Sequence, residues 1–511
     1  MNPRPNVVFL FSDQHNAKVL GHRGHPDVKT PHLDRLAAGG VRFENAITQN
    51  PICTPSRLSF LSGQYCHNHG YYGLSGGNLG GLPCLLGHFR DAGYRTSAVG
   101  KIHCPEYWVE DAVDHFHETA GCSVGGRSKK YEAFLEGRGK LALEEHGSLP
   151  EHGKKGIQSM EGRVSPLAFE ESQEGWIASE AIAFMRAAQE EGRPFFSFAS
   201  FPRPHQCTAP SEPFWSLYEG KDLRLPPNAD YDLAAARKAP HLLRAAAQWR
   251  RGEWALFEPK TFEAARLRKL RGYLGAISQV DHAVGEVLAF LDRHGLAENT
   301  IVIYSTDHGD YACEHGIMEK APGISSDAIT RIPFLWSWPG RFKAGHVAPE
   351  LVETVDVSQT LCELCGLEPL ETSDGASLAP LLGGEHKEIH SLAVTEFAWS
   401  KSARQGKYRL VYYPRAMFAQ EYPDGFGELY DLEADPWEMK NLWFDADKRP
   451  VVDRMERGLM DWLVTTTRNK SVWPATYASP SQSRERYKIH ANADGKQPWR
   501  STAKNAGGNY T

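Results

Sequence analysis

Residues 7–11 read VVFLF, an unbroken apolar run that is followed directly by the polar segment SDQH at residues 12–15. The run predicts a strand buried on both faces of a mainly parallel sheet, because a half-exposed strand would alternate apolar with polar residues. Ligands bind at the carboxyl ends of strands in open α/β sheets. We therefore expect Asp13 to lie at a functional edge of the sheet, with an ordinary turn or capping aspartate as the alternative.

A second buried strand is predicted at residues 300–304, which read TIVIY and lead into the polar segment STDHGD at 305–310. The preceding segment, 277–291, carries apolar residues at helical spacing on one face. This alternation of helical and buried-strand patterns continues to residue 365. It predicts an α/β fold with a large, mostly parallel or mixed central sheet flanked by helices, followed by a smaller C-terminal α+β subdomain.

The texture of the chain suggests three parts. Residues 1–384 are predicted to form the large α/β domain, 385–474 the small α+β subdomain and 475–511 a polar C-terminal tail. Residues 118–175 are rich in Gly, Lys and Glu and poor in periodic apolar positions, which predicts an irregular insertion or a lid. The polar tail is either disordered or wraps the body or a neighbouring subunit, so it could support a homo-oligomer.

The composition excludes several classes of partner. The 511 residues carry 57 Lys and Arg against 63 Asp and Glu, a net charge of −6, which argues against nucleic acid or an anionic membrane as the main partner. No stretch approaches the roughly 20 apolar residues that span a bilayer. Met1 passes into a strand without the charged and apolar preface of a signal peptide, so we expect a cytoplasmic protein, or a periplasmic one if the chain was trimmed.

The nine cysteines are sparse and show no disulfide framework, which is typical of a reduced, intracellular protein. Cys362 and Cys365 form one C-x-x-C pair within the apolar run 361–367. No second pair or nearby histidine completes a set of four zinc ligands. The pair is therefore predicted to pack in the core rather than to bind metal.

The segment NPICTPSRLSFLSG at residues 50–63 places Cys53, Pro55 and Arg57 just before an apolar, helix-compatible run. The thiol and the guanidinium are thus predicted to lie at a helix start, where free N–H groups and the helix dipole favour negative charge. Arg57 adds a permanent, fork-shaped cation that suits oxyanions. The segment predicts an anion site, and the alternative is a loop with a buried cysteine and a surface arginine.

Residues that could bind a metal follow the two predicted strands. Asp13 and Asp307 offer carboxylate oxygens, His308 offers an imidazole, and Gln14 can add an amide oxygen. Oxygen-rich sites suit Ca²⁺ or Mg²⁺, whereas the imidazole leaves Mn²⁺ or Zn²⁺ open. We expect one divalent cation at this edge of the sheet.

Cationic and protonatable side chains outnumber carboxylates around these segments. They are Arg57, Lys101, His103, His205 and Lys320. This balance suits a substrate that carries a compact oxyanion. Each residue taken alone has a plainer explanation, since an exposed lysine is usually solvated and a single histidine is usually structural.

The same residues resemble the signature of a known family. CTPSR at 53–57 followed by LSGQY at 61–65 resembles the type I, formylglycine-dependent sulfatases of the alkaline phosphatase superfamily. Further matching elements are Asp13 and Gln14, GKIH at 100–103, Pro204 and His205, DHG at 307–309, Lys320, RIP at 331–333, ELYDL at 428–432, Asp435 and Pro436, and Asn441 and Leu442. The resemblance spans residues 6 to about 442. It implies an alkaline phosphatase-like catalytic domain and metal-dependent hydrolysis of sulfate monoesters.

The resemblance also implies that Cys53 is converted after translation to formylglycine (3-oxoalanine) by a formylglycine-generating maturation enzyme. The hydrated aldehyde is a geminal diol, which takes sulfate on one oxygen and releases it when the other oxygen loses its proton. The family pattern assigns the metal to Asp13, Gln14, Cys53, Asp307 and His308, and Ca²⁺ is the usual ion.

The remaining family residues are assigned to catalysis and sulfate binding. Arg57 stabilises the modified residue, and Lys101, His205 and Lys320 bind the sulfate. His103 is the base that triggers release, while His205 or Lys320 protonates the departing alcohol.

Two departures from the family pattern bear on the metal and the reaction. Gln14 stands where many sulfatases have a second aspartate, and His308 where an asparagine is common, so Mn²⁺ and Mg²⁺ stay open beside Ca²⁺. These features also resemble the phosphonate monoester and phosphodiester hydrolases of the superfamily, but Lys101 and His103 differ from the Tyr and Thr types of those enzymes. Sulfate ester hydrolysis is the favoured prediction. A non-catalytic binder of sulfated ligands is the third alternative, although neither Cys53 nor the predicted metal ligands are eroded.

The substrate class stays open between a sulfated carbohydrate and an aryl or alkyl sulfate. Residues 125–130, which read GGRSKK, and Arg203 are candidate contacts to a carboxylate or a second sulfate of the substrate. The plainer alternative for such cationic residues is a solvated face.

Overall fold

The structure is a computed structural model that describes residues 4–74, 79, 81–105, 107–119, 130–143, 162–206, 208–251, 261–320, 325–370, 372–397 and 399–467. The strands in these ranges are β1 (Asn6–Asp13), β2 (Val41–Ile47), β3 (Arg95–Gly100), β4 (His115–Glu118), β5 (Phe195–Pro204), β6 (Thr300–Thr306), β7 (Arg331–Ile332), β8 (Phe334–Ser337), β9 (His346–Glu353), β10 (Ala393–Glu396), β11 (Lys401–Gln405), β12 (Tyr408–Tyr412) and β13 (Gly427–Asp431). The helices are α1 (Pro31–Gly39), α2 (Cys53–Ser62), α3 (Cys66–His69), α4 (Leu85–Asp91), α5 (Lys130–Glu136), α6 (Gln173–Glu190), α7 (Pro240–Arg250), α8 (Phe262–Arg293), α9 (Asp327–Thr330), α10 (Asp356–Leu364), α11 (Ala379–Leu382) and α12 (Arg449–Thr466).

Nine of these strands form a mixed central sheet. Their order is β4-β3-β5-β1-β6-β8-β2-β7, with β9 paired to β2. The neighbours from β4 to β6 are all parallel, whereas β8 runs antiparallel to both β6 and β2. The predicted α/β fold with a large, mostly parallel or mixed sheet is confirmed.

The β1 strand shows why an unbroken apolar run was required at this position. Val7, Phe9 and Phe11 pack into one core beneath α2, α4 and α10, whereas Val8 and Leu10 pack into a second core beneath α1, α6 and α8. All eight residues of the strand are buried. With helices on both faces, no position along the strand faces water, so an alternating pattern would place polar groups in a core.

The helix that carries Cys53 is short and closed by a glycine. It ends at Gly63, which adopts φ 68° and donates its backbone N–H to the Ser59 carbonyl. A Cβ at Gly63 would lie 2.3 Å from Ser358 Oγ. Glycine is therefore needed at this position both for the left-handed backbone and for the close approach of α10.

Cys362 and Cys365 are both buried in the core on the α2 side of the sheet. Both cysteines pack among the apolar side chains of this core, as predicted.

The small subdomain consists of a four-stranded antiparallel sheet, β10-β11-β12-β13, covered by α12. Val452, Met455, Leu459 and Trp462 of α12 are buried against this sheet. Their spacing of three and four residues places them on one face of the helix. The predicted C-terminal α+β subdomain is thus present, and the predicted tail at 475–511 lies outside the described residues.

The predicted insertion at 118–175 falls partly outside the described residues. The described part contains α5, whose Tyr131 and Leu135 are buried in the core on the α6 side. Whether the segment acts as a lid stays a prediction. Within the described ranges, no helix has both the length and the apolar composition that crossing a membrane requires.

Candidate active site

The acidic residues of the candidate site come from two neighbouring parallel strands. β1 ends at Asp13, and β6 ends one residue before Asp307 and His308. Together with Cys53 these residues form a buried cluster in which one donor atom from each lies within 4.8 Å of the others. The structure therefore unites residues from three distant parts of the sequence, two of which were predicted to lie at the ends of buried strands.

The start of α2 is fixed against the end of β6. Cys53 is the first residue of the helix. The hydroxyl groups of Thr48 and Ser56 each donate a hydrogen bond of 2.7 Å to the backbone carbonyl of Asp307. Because these contacts flank Cys53 on both sides, the thiol is held over the carboxyl end of the sheet.

Arg57 lies one helical turn after Cys53 and connects the two carboxylates. Its Nε donates to Asp307 at 2.9 Å and its Nη2 to Asp13 at 3.1 Å, while Nη1 donates to the Lys101 carbonyl at 2.5 Å. The side chain is 1 % exposed. The alternative of a surface arginine is therefore wrong. Burial acts against the charged form, but Asp307 and Asp13 outweigh it and raise the pKa of Arg57.

Two lysines, Lys320 and Lys101, add positive charge near the thiol. Lys320 Nζ lies 3.7 Å from Cys53 Sγ, 2.9 Å from His205 Nε2 and 3.1 Å from Gln14 Oε1. Lys101 Nζ forms a buried ion pair of 2.5 Å with Asp13. Of the predicted group, Arg57, Lys101, His205 and Lys320 thus lie in one network of contacts with Asp13 and Cys53, in a place that suits an oxyanion.

The hydrogen bonds of His205 define its tautomer. Nδ1 lies 2.8 Å from the Gln206 carbonyl oxygen, which can only accept, so Nδ1 carries the proton. Nε2 is then free to accept a hydrogen bond from the Lys320 ammonium. Burial, together with the charges of Lys101 and Lys320, holds the pKa of His205 well below its usual value. The imidazole is therefore neutral.

Gln14 adopts a left-handed backbone conformation with φ 70°. Its backbone N–H donates to Asp307 Oδ1 at 3.0 Å, and its side-chain Nε2 donates to Asp310 Oδ2 at 2.5 Å. These two bonds leave the amide oxygen directed toward Lys320. Asp310 was not predicted as a site residue, although it lies in the same STDHGD segment as Asp307.

The charges of the cluster shift the titration of its members. Burial and Asp13 oppose ionisation of the Cys53 thiol, but Lys320, Lys101 and His308 outweigh them and hold the pKa of this thiol well below its usual value. Burial and the neighbouring Asp13 raise the pKa of Asp307 to about 6. Burial also disfavours the charged form of His308, but Asp307 and Cys53 raise the pKa of this imidazole to about 9.

The donor set fits a divalent cation. Asp13, Asp307 and His308 present their donors in a buried cluster, where burial and repulsion by the Asp13 carboxylate raise the pKa of Asp307. A bound cation would relieve this repulsion, and carboxylate and amide oxygens are ligands that Ca²⁺, Mg²⁺ and Mn²⁺ accept.

Comparison with known proteins identifies the family. The family model described as "Sulfatase" matches residues 5–367, which is more than half of the chain. The chain belongs to the sulfatase family. It is a sulfuric ester hydrolase, and a second family model, described as "N-sulphoglucosamine sulphohydrolase, C-terminal", matches residues 313–464 of this sulfatase.

Similar proteins cover most of the sulfatase. An arylsulfatase of Clostridium perfringens is 26 % identical over 476 residues, which cover 90 % of this chain and 94 % of the relative. The phosphonate monoester hydrolase of Agrobacterium radiobacter has a TM-score of 0.75 at 24 % identity, covering 91 % of this chain and 96 % of that structure. A protein solved with its substrate D-glucosamine-2-N,6-O-disulfate has a TM-score of 0.69 at 21 % identity, covering 91 % and 99 %. The two structural likenesses establish the fold alone.

His103 of the sulfatase lies next to the site through its backbone. Its carbonyl accepts a hydrogen bond of 2.9 Å from Thr54, and its N–H donates to Glu118 at 3.3 Å. It adopts φ 52°, and its buried Nδ1 has no hydrogen-bonding partner among the described residues. The structure thus places the His103 backbone beside the start of α2, and the role of the imidazole as the base stays a prediction.

Arg203 lies in a buried ion pair. Its Nη1 is 2.5 Å from Glu174 Oε2, which also accepts a hydrogen bond of 2.6 Å from Gln279. The residue is 3 % exposed, so the alternative of a solvated face is wrong. Its predicted contact with substrate stays untested, and so does that of the cationic loop, where 125–129 lie outside the described residues and Lys130 is exposed at the start of α5.

Proposed function

We propose that this sulfatase hydrolyses sulfate monoesters through a formylglycine residue made from Cys53. The proposed metal ligands are Asp13, Gln14, Asp307 and His308, beside the modified residue 53. Ca²⁺ is the proposed ion, with Mn²⁺ and Mg²⁺ as alternatives, because three of these four side chains offer oxygen.

The observation that carries the proposal is the position of Cys53 Sγ. It lies at a helix start, 3.3 Å from His308 Nε2 and 3.7 Å from Lys320 Nζ. An atom placed here has the proposed metal ligands on one side and the ammonium groups of Lys320 and Lys101 on the other. This is the arrangement that a nucleophile needs when it attacks an oxyanion.

The residues of the chain divide the work by their contacts. Arg57 holds the carboxylates of Asp13 and Asp307 in one orientation through its hydrogen bonds of 3.1 and 2.9 Å. Lys101 and Lys320 present ammonium groups where the sulfate oxygens would develop charge. Positioned donors of this kind contribute on the order of 3 kcal/mol each to transition-state stabilisation.

The tautomer of His205 favours Lys320 as the group that protonates the leaving alcohol. Because Nδ1–H is held by the Gln206 carbonyl at 2.8 Å, the facing Nε2 accepts rather than donates. Lys320, whose Nζ lies 2.9 Å from this nitrogen, is then the group that gives a proton to the departing oxygen. His205 orients that lysine.

Formylglycine at residue 53 and the divalent cation would supply the remaining chemistry. The hydrated aldehyde supplies an oxygen nucleophile and a route for release of sulfate by loss of a proton from its second hydroxyl. The cation supplies charge that favours the ionised nucleophile and the sulfate oxygens. His103, with its unpartnered Nδ1, is the proposed base for the release step.

The proposed substrates are sulfated carbohydrates and aryl or alkyl sulfates. Support comes from the relative named as an arylsulfatase and from the structural neighbour solved with a disulfated glucosamine. The described cations around Cys53 recognise the sulfate group, which both classes share.

Mass spectrometry of the peptide that contains Cys53 tests the nucleophile. Protein from the native host, or from cells that supply the maturation enzyme, should show residue 53 as the aldehyde, whereas the Cys84 peptide keeps its thiol. Cys53→Ala should abolish turnover of an aryl sulfate. Full retention of the Cys53 thiol in active protein would contradict the proposal.

Chelation should remove activity and Ca²⁺ or Mn²⁺ should restore it, and unchanged activity after complete chelation would reject the metal.

A phosphonate monoester or phosphodiester hydrolase is the second candidate function. It is favoured by Gln14, whose neutral amide oxygen lies 3.1 Å from Lys320 where a carboxylate is common in sulfatases. The comparison is kcat/KM for matched aryl sulfate and aryl phosphonate esters. We expect the sulfate ester to be preferred, and a large preference for the phosphonate would reverse the assignment. A protein that binds sulfate esters without turnover would instead be the non-catalytic binder.

A further inference from the structure

A second cluster of metal-binding side chains lies away from Cys53, between the sheet and α6. His115 and His117 are two residues apart on β4, so their side chains point to the same face of the strand. Their rings lie 4.0 Å apart between centroids. Glu180 of α6 completes the group, and one donor atom from each of the three residues lies within 4.8 Å of the others.

The hydrogen bonds of this cluster are incomplete. His117 Nδ1 and Glu180 Oε2 are joined at 2.7 Å, but the buried Nε2 of His115 has no hydrogen-bonding partner among the described residues. A buried nitrogen without a partner is rare in folded proteins and calls for an explanation such as an ion. The His117 side chain is 7 % exposed and that of Glu180 is 29 % exposed, so solvent reaches the cluster from the side of the glutamate.

We propose that His115, His117 and Glu180 form a binding site for Zn²⁺ or a similar divalent transition metal. Two imidazole nitrogens and one carboxylate oxygen are a common zinc donor set, whereas Ca²⁺ prefers oxygen alone. Tetrahedral zinc with bonds of about 2.1 Å holds its donors roughly 3.4 Å apart, so the side chains would close by a movement on the order of 1 Å. Water from the exposed side takes the fourth position.

The position of the site gives it a structural role. β4 is the edge strand of the central sheet and is paired only with β3 among the described strands. A metal would tie this edge to α6. The residue after His117 is Glu118, which accepts the backbone N–H of His103 at 3.3 Å, so the same strand also supports a predicted catalytic residue.

Zinc titration of the intact protein tests the site. The protein is stripped with chelator, reloaded with Ca²⁺ and dialysed against Zn²⁺ alone; bound zinc per chain and Tm are then measured. The variants are His117→Gln and Glu180→Gln. The matched control is His294→Gln, which removes an exposed histidine directly after α8. Zinc that enters the Cys53 site adds equally to all of these proteins and cancels in the comparison.

We expect wild type and His294→Gln to bind one zinc more than His117→Gln. Zinc should raise Tm more in the first two proteins than in the third. Glu180→Gln should bind this zinc at least about tenfold more weakly. Equal zinc content, or an equal Tm shift, in wild type and His117→Gln would overturn the proposal. If His117→Gln does not fold, Glu180→Gln decides alone, because its side chain is partly exposed, and unchanged zinc affinity in that variant would equally reject the site.

Discussion

Lys320 is the residue whose contacts join the most parts of the candidate site. Its ammonium touches the thiol of Cys53, the imidazole of His205 and the amide of Gln14, at 3.7, 2.9 and 3.1 Å. The sequence placed it among the cations of the site, and the family resemblance gave it a role in sulfate binding. The structure adds the reason for its importance, since no other described ammonium contacts all three of these groups.

Replacement of Lys320 by alanine tests this position. We expect kcat/KM for a sulfate monoester to fall by about 100-fold or more, because a donor to the developing charge is lost. Lys407→Ala, which removes a surface lysine paired with Asp431, serves as the control. Steady-state kinetics of both variants provide the measurement, and a loss of less than about threefold in Lys320→Ala would show that this lysine does not act on the reacting groups.

Arg203 is a residue where two roles make opposite predictions. Its partner Glu174 is buried, so removal of the arginine leaves a carboxylate without its ion pair. Arg203→Met should therefore lower the free energy of unfolding by about 3 kcal/mol or more. The double variant Arg203→Met/Glu174→Leu should recover part of this loss, since both charges are then gone.

Denaturant unfolding of these Arg203 variants is compared with KM for substrate. A role in substrate binding predicts instead a raised KM with unchanged stability, and that result would contradict the structural role.

At the scale of single elements, unbroken apolar runs gave the most reliable predictions. β1 and β6 are buried on both faces, so their sequences carry one strong signal. β2 reads VRFENAI, and its first four residues alternate between buried and half-buried positions. Because Arg42 and Glu44 interrupt its apolar residues, the sequence shows no unbroken apolar run here. The first half of α8 is similar, because Arg266 and Lys269 are buried cations that an apolar pattern cannot reveal.

The functional residues follow the same rule. Asp13, Asp307 and His308 were predictable because they stand directly after such strands. Gln14 and His103 adopt φ 70° and 52°, left-handed conformations that are uncommon for residues other than glycine and that depend on tertiary contacts. The Glu174 partner of Arg203 could not be found from the sequence, because no sequence motif pairs the start of α6 with the end of β5.

His390, whose side chain is 14 % exposed, contacts the junction of β9 and α10 and makes stability depend on pH. His390 Nε2 lies 2.9 Å from both oxygens of Asp356, and its Nδ1 lies 3.9 Å from Glu353. Burial disfavours the imidazolium, but Asp356 and Glu353 outweigh it and raise the pKa of His390 to about 9. Burial likewise raises the pKa of Glu353 to about 7.

We expect His390→Gln to lose most stability at acidic pH. A histidine whose pKa rises on folding, here from 6.5 to about 9, stabilises the protein fully below pH 6.5, and this contribution disappears as pH rises through 9. The difference in unfolding free energy should reach about 3 kcal/mol at pH 6 and shrink markedly at pH 9.5. Urea unfolding at both values measures it, with His294→Gln as the control. A difference that is independent of pH would contradict the assignment.

At the scale of the whole molecule, the small subdomain is joined to the active-site segment by buried charges. Glu438, which follows β13, forms an ion pair with Arg409 of β12 and accepts hydrogen bonds from Ser326 Oγ and Asp327 N at 2.7 and 3.0 Å. These last two residues begin α9. The subdomain therefore holds a helix of the large domain through one carboxylate.

That helix in turn supports the segment after β6, which carries the proposed metal ligands Asp307 and His308. The N–H of Gly309 donates to the Ile329 carbonyl of α9 at 3.0 Å, and a Cβ at Gly309 would lie only 1.9 Å from the Ala328 carbonyl. Gly309 directly follows His308, so a shift of α9 moves a predicted metal ligand. The family pattern that extends to residue 464 is consistent with a subdomain that this site requires.

Glu438→Gln should therefore weaken both stability and catalysis. The substitution leaves Arg409 buried without its charged partner, which we expect to lower the unfolding free energy by about 3 kcal/mol or more. Because α9 loses its anchor, kcat/KM should fall as well, although Glu438 contacts none of the proposed reacting groups. Glu433→Gln, a change at an exposed glutamate nearby, should alter neither quantity.

Differential scanning calorimetry should show one cooperative transition for wild type, since the two sheets share this buried network. A wild-type protein that melts in two separate steps, or a Glu438→Gln variant that is destabilised yet fully active, would show that the subdomain folds beside the site without supporting it.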